Sequence, residues 1–245
     1  MRRRLAEVQL AIILLTRLPF GQLRDPAPSL GAAAWAFPLA GLLVGLIAAG
    51  MMAAALVLGL PPLVAAGLAL GAQIMGTGAM HEDGFADLCD GFWGGTTRER
   101  RLQIMRDSQI GSYGTVGLIL SIGLRWLGLA AFAEREPLYA VIAVAMASRV
   151  APVALMGWLP AARSDGLGAQ GRTIGTESIV MAALLGGVPI LLVPRGLAAL
   201  LVAALSVALL ALIARTKIGG QTGDVLGASQ QVAEMALLLA LCAHA

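Results

Sequence analysis

Seven stretches of sixteen to about thirty residues carry almost no charge, and they recur along nearly the whole chain. A run of about 20 apolar residues is what a helix needs to cross the hydrocarbon core of a bilayer. The stretches lie near 33–60, 62–80, 113–133, 138–158, 178–193, 196–214 and 224–243; the fifth is short and contains Pro189. Charged residues make up only 13% of the 245, too few to coat a water-soluble globule of this size. Ala, Leu, Val, Ile and 31 Gly dominate, as in close-packed membrane helices. The expectation is an all-α, polytopic membrane bundle of about six to seven spans, forming a single integral membrane domain over 1–245.

The few charges are distributed unevenly. Placing the N-terminus in the cytoplasm puts 1–32, 81–112, 159–177 and 215–223 on that side. These segments hold thirteen of the seventeen basic residues, the outer loops hold Arg135 and Arg195, and Arg125 and Arg149 fall within spans. Such an excess orients a chain with its basic face in the cytoplasm. Most acidic residues share that face. A transporter needs polar groups through both halves of the membrane, so one rich face favours surface chemistry. Met1-Arg2-Arg3-Arg4 opens a short apolar stretch with no small-residue cleavage site, expected as a retained interfacial helix. A net charge of +3 does not suit a nucleic-acid binder. Two isolated cysteines, Cys89 and Cys242, suggest neither a disulfide nor a zinc site. Gly- and Ala-rich spans would also permit a homo-oligomer.

The densest polar stretch is His81–Gly95. Asp83, Asp87 and Asp90 recur at i, i+4 and i+7, so a helix puts all three carboxylates on one face. Like charges that close repel unless neutralised. A hard cation such as Mg²⁺ does this while also holding substrate phosphates. Glu82 precedes them, and Gly94 and Gly95 allow backbone to approach a ligand. Arg98, Arg101 and Arg106 follow, with Asp107 and Ser108. Carboxylates followed by guanidinium groups suit a diphosphate, gripped by metal on one side and Arg on the other. The last span carries Asp224, Gly227, Gln231 and Glu234 at helical spacing, a stripe expected to face the bundle interior. Arg149 lies at a depth similar to Glu234, and the two are expected to pair or to line one polar cavity. Arg125 is expected to snorkel outward beside Trp126. A lone histidine such as His81 reads first as a structural hydrogen-bonding residue.

These residues resemble a known family. His81–Gly95, followed by Arg100-Arg101-Leu102-Gln103-Ile104-Met105-Arg106-Asp107-Ser108 and Gln109–Gly114, is similar to the signature of the cobalamin synthases. So are Thr16-Arg17-Leu18-Pro19 and Gly219–Ala228. The resemblance implies adenosylcobinamide-GDP ribazoletransferase chemistry in an Mg²⁺-dependent inner-membrane enzyme. Adenosylcobinamide-GDP and α-ribazole, or its 5′-phosphate, would give adenosylcobalamin, or its 5′-phosphate, and GMP. It implies Mg²⁺ at Asp83, Asp87 and Asp90, with Glu82 in addition. Asp107 or one of the earlier carboxylates would be the base, Arg101 and Arg106 would contact phosphate, and Asp224 would support the nucleoside. Arg98, Ser108, Arg149, Gln231, Glu234 and the two glycines complete the candidate substrate-binding set. The alternatives are another membrane transferase acting on a diphosphate, or a small transporter. CDP-alcohol phosphotransferases carry Ala-Arg after their first Asp-Gly, where this chain has Ala86-Asp87; membrane prenyltransferases carry Asp-rich motifs on separate loops.

Overall fold

The computed structural model describes residues 2–135, 138–166, 168 and 174–243. Helix α1 (Arg2–Leu15) is followed by a short α2 (Leu30–Ala33), a 3₁₀ turn (Ala34–Ala36) and α3 (Phe37–Val57). Then come α4 (Pro62–Thr77), α5 (Met80–Gly94), α6 (Arg98–Ile104), α7 (Ser112–Arg135), α8 (Tyr139–Ser148) and α9 (Val150–Trp158). The last three are α10 (Thr176–Leu191), α11 (Gly196–Ile218) and α12 (Gly223–Cys242). Among the described residues the extended pairing is one isolated bridge, Ala161 to Gln221.

Five helical segments are long and apolar enough to cross a membrane: Leu30–Val57, Ser112–Ala133, Tyr139–Trp158, Gly196–Ile218 and Gly223–Cys242. The sixth is a broken one. Helix α4 ends at Gly78, whose φ of 66° is the left-handed conformation glycine adopts readily, and α5 leaves at 87° to it. The expected loop 81–112 therefore begins as a helix built into the bundle. The expected seventh span, near 178–193, is α10, whose 16 residues reach only about 24 Å. That is short of the roughly 30 Å required, so the count is five to six. Helix α1 has 14 residues, exposes Arg2, Arg3 and Arg4, and buries Ala11, Ile12 and Leu15 against the bundle. Its Glu7 accepts from Arg4 and from Trp35 Nε1 at 2.9 and 2.8 Å.

The centre of the bundle is α8–α9 and α12. Within their best apolar windows 78% and 67% of residues are buried, against 28% for α7 and 33% for α11, whose outer faces meet lipid. The junction of α8 and α9 has a local cause: Pro152 lacks the N–H that would bond the Ser148 carbonyl. Glycine sets the tightest contact. A Cβ on Gly45 would come within 2.8 Å of Ile142 Cα, and one on Gly41 within 2.9 Å of the Ala145 carbonyl carbon. The Gly-x-x-x-Gly spacing thus lets α3 lie backbone-to-backbone on α8.

Candidate active site on helices 5 and 12

Helices α5 and α12 also meet through glycine. A Cβ on Gly84 would lie 3.1 Å from Asp224 Cα, and one on Gly227 would lie 3.5 Å from His81 Cα. This contact gathers carboxylates that are 134 or more residues apart in sequence. Asp83 is exposed, Asp87 is half-buried within electrostatic reach of Asp224, Asp83 and Asp90, and Asp224 sits in the first turn of α12. Asp224 accepts from Thr222 Oγ1 at 3.1 Å and stands 3.9 Å from Arg163. Asp83 and Asp87 take no hydrogen bond among the described residues, so their oxygens are open.

Asp90 is used differently. Its two carboxylate oxygens accept from the backbone N–H groups of Gly111 and Gly114 at 2.7 and 2.9 Å. It therefore anchors the start of α7 at a helix N-terminus, where a negative charge is favoured. The i, i+7 spacing on one face is real, but the third carboxylate is already engaged. Asp107 closes a local turn by accepting from Gln109 N at 3.1 Å, and Ser108 is exposed beside it.

The arginines divide in the same way. Arg98 donates to the carbonyls of Ile218 and Ala162 at 2.9 and 2.7 Å, and Arg101 to that of Lys217 at 3.2 Å. Lys217 in turn donates to Phe92 O at 2.7 Å. These contacts tie α6 to the C-terminal end of α11, whose last carbonyls lack helical partners. Gly95 packs under Arg101, where a Cβ would meet its Cγ at 2.6 Å, while Gly94 lies exposed. Two of the three predicted phosphate arginines thus brace the loop. Arg106 remains on the rim, paired with both oxygens of Asp165 at 2.8 and 2.6 Å and largely exposed. Beside it is Arg163, which the motif reading did not select. Arg163 donates to Leu102 O at 2.7 Å and faces Asp224. Burial pushes its guanidinium below the ordinary value, and the Asp224 carboxylate opposes that shift.

A second polar cluster lies deeper. Arg125 is 1% exposed and donates to Glu82 Oε1 at 2.8 Å and to Gln231 Oε1 at 2.6 Å. Its Nε is 3.7 Å from Glu234. Glu234 also accepts from Gln73 and Gln230, both at 2.5 Å. Gln231 donates to Glu82 and Gln230 and accepts from Ser121. Arg125 therefore does not snorkel: an unpaired guanidinium in a span is costly, and two carboxylates supply the charge that holds it inside. The expected Arg149–Glu234 pair is replaced by Arg125–Glu234. Arg149 is equally buried in this region, but its Nη1 donates to Ala145 O at 2.7 Å. Nothing in the local sequence around Arg125 signals its role, because its partners come from two other helices, α5 and α12.

Beside these carboxylates is a cavity of ≈ 220 Å³, with Asp83 and Asp224 in its lining and apolar side chains from α1, α3, α9 and α12 making up most of the remainder. Among the described residues no three His, Cys, Asp or Glu side chains enclose a metal site by themselves.

Adenosylcobinamide-GDP ribazoletransferase from Mesorhizobium japonicum is 46% identical to the chain over 97% of its length and 93% of the relative's. Relatives of the same name from Bradyrhizobium diazoefficiens and Azorhizobium caulinodans are 43% and 44% identical, each covering 99% of the chain and 95% and 97% of their own lengths. No solved structure matches the chain. Residues 7–242 match the family described as Cobalamin-5-phosphate synthase, and so the chain, from α1 to α12, belongs to that family.

Proposed function

We propose that the chain is a transferase that joins adenosylcobinamide-GDP to α-ribazole, or to its 5′-phosphate, in the final assembly of the cobalamin nucleotide loop. The relatives named adenosylcobinamide-GDP ribazoletransferase support this reading. The observation that carries it on the structure is the carboxylate set of Asp83, Asp87 and Asp224, placed between an apolar cavity and a rim of Arg106 and Arg163.

A ribose hydroxyl of α-ribazole attacks the phosphorus that stays on cobinamide. A new P–O bond forms, the P–O bond to the GMP oxygen breaks, and GMP leaves. The hydroxyl proton passes to a carboxylate of the set. Arg163 and Arg106 face the negative charge that builds on the phosphoryl oxygens, and the rigid contact of α5 with α12 keeps the groups positioned.

Mg²⁺ fits this donor set. Asp83 and Asp87 have free, hard oxygens and Asp224 lies across from them, whereas Asp90 is committed to α7. The protein alone does not enclose an ion, which suits a cation that takes one or two carboxylates and fills its other positions with phosphate and water. When bound, Mg²⁺ supplies charge neutralisation for the diphosphate.

The excess of arginine on one face supports an inner-membrane placement with the N-terminus and the site in the cytoplasm. The decisive assay is GMP release by purified protein in lipid. It should require both substrates and Mg²⁺, and release with either substrate omitted would overturn the reading. Labelling of a cysteine introduced at exposed Glu99 by an impermeant reagent tests the orientation: protection in intact cells and reaction in inverted vesicles are expected.

A further inference from the structure

The cavity between α1, α3, α5, α9 and α12 contains one polar group that nothing in the mechanism uses. His81 lines it, is only 3% exposed, and among the described residues finds no hydrogen-bond partner for either ring nitrogen. The charged groups acting on it are Arg149 and Arg125, neither of which offers an acceptor. Buried polar groups are almost always satisfied in the working state of a protein. An unpartnered imidazole on a cavity wall therefore points to something that enters the cavity.

We propose that this cavity seats the aromatic base of α-ribazole, with a ring N–H of His81 donating to the base's free ring nitrogen. The inference rests on the transferase reading above and assigns one half of its substrate to a place.

Three observations choose this occupant. The first is size. The volume of ≈ 220 Å³ lies below the roughly 300–1,000 Å³ of pockets for drug-sized ligands, which suits a fused two-ring heterocycle and excludes a corrin. The second is polarity. Leu15, Phe37, Met80, Pro152 and Met156 line the walls, leaving His81 as the one uncharged polar side chain there. A guanine has several donors and acceptors and would strand most of them. A benzimidazole-type base has one glycosidic nitrogen and one free acceptor, which a single donor satisfies. The third is direction. Asp83 and Asp224 also line the cavity. A base held at His81 places its ribose toward those carboxylates, where the hydroxyl must react.

The test compares two substrates and two variants in GMP-release kinetics. His81→Phe keeps a flat ring without a donor, and His81→Gln restores a donor. His81→Phe should raise KM for α-ribazole about tenfold, the effect of one lost hydrogen bond. KM for adenosylcobinamide-GDP and kcat should stay within about twofold, and His81→Gln should recover part of the loss. An indole riboside, in which the free ring nitrogen is a C–H, should show the same penalty with wild-type protein and no further penalty with His81→Phe. Equal KM values for the two ribosides with wild-type protein would overturn the assignment, and that comparison stands even if both variants misfold. So would a variant that raises the two substrates' KM values together. Equilibrium dialysis of α-ribazole alone against wild-type protein and His81→Phe separates the two levels. Absent GMP release counts against the activity. Equal affinity of the two proteins for α-ribazole, or no binding to wild-type protein, counts against the pocket.

Discussion

Helices α5 and α12 each carry two kinds of acidic residue, and the two kinds are treated in opposite ways. Glu82 and Glu234 are buried, and their charge is met by Arg125, Gln73, Gln230 and Gln231. Asp83, Asp87 and Asp224 lie within electrostatic reach of one another, and Arg163 stands 3.9 Å from the third of them. Adjacent residues, Glu82 and Asp83, thus belong to different systems. The deep set is cross-linked by these bonds and fixes how four helices meet. In the other, Asp83 and Asp87 take no hydrogen bond among the described residues, and Asp83 and Asp224 line a cavity. A protein gains nothing in stability from gathering carboxylates with so little opposing charge, which is what supports the proposal of a ligand there.

Substitutions should separate the two sets. Asp87→Asn should lower GMP release on the order of a thousandfold, while the thermal midpoint in detergent stays the same or rises, because one like charge is gone. A large fall in midpoint would erase the distinction. Arg125→Leu should do the reverse in kind. It strands two buried carboxylates and should cost about 3–5 kcal/mol of stability, read as loss of folded protein on heating in detergent. Asp90→Ala falls between. It removes the acceptor for Gly111 and Gly114 and should cost about 2 kcal/mol; turnover in the folded fraction should drop far less than in Asp87→Asn. If Asp90→Ala instead abolishes turnover with stability intact, Asp90 belongs with Asp83 and Asp87. Arg106→Ala should have the smallest effect on stability, within about 0.5 kcal/mol, since its pair with Asp165 is exposed. Its effect should appear as a higher KM for adenosylcobinamide-GDP.

The membrane architecture was legible because span length and charge asymmetry are properties of single segments. The helix break at Gly78 was not, since a Gly in an apolar run reads equally as packing or as a turn. The carboxylate face was legible for Asp83 and Asp87, whose spacing alone places them together. Asp90 shares that spacing, yet its partners are backbone amides more than twenty residues on, which no side-chain pattern announces. Arg98 and Arg101 sit in the phosphate-like motif but bond to carbonyls at the end of α11, a contact that exists only once the helices are packed. Arg125 shows the limit most plainly. In sequence it is one cation in an apolar run, and its meaning comes from Glu82 and Gln231, 43 and 106 residues away.

The contact of Gly84 with Asp224 acts as a ruler. At this point main chain lies against main chain, so the gap between the two carboxylate-bearing helices leaves no room for a side chain at Gly84. A single methyl at Gly84 would arrive 3.1 Å from Asp224 Cα and wedge the helices apart by a few tenths of an ångström. Reaction rates depend steeply on such distances, whereas the lipid-facing leucines of α11 are remote from that gap. The outer surface is therefore free to drift with the bilayer it meets, while the reaction keeps its own fixed gauge.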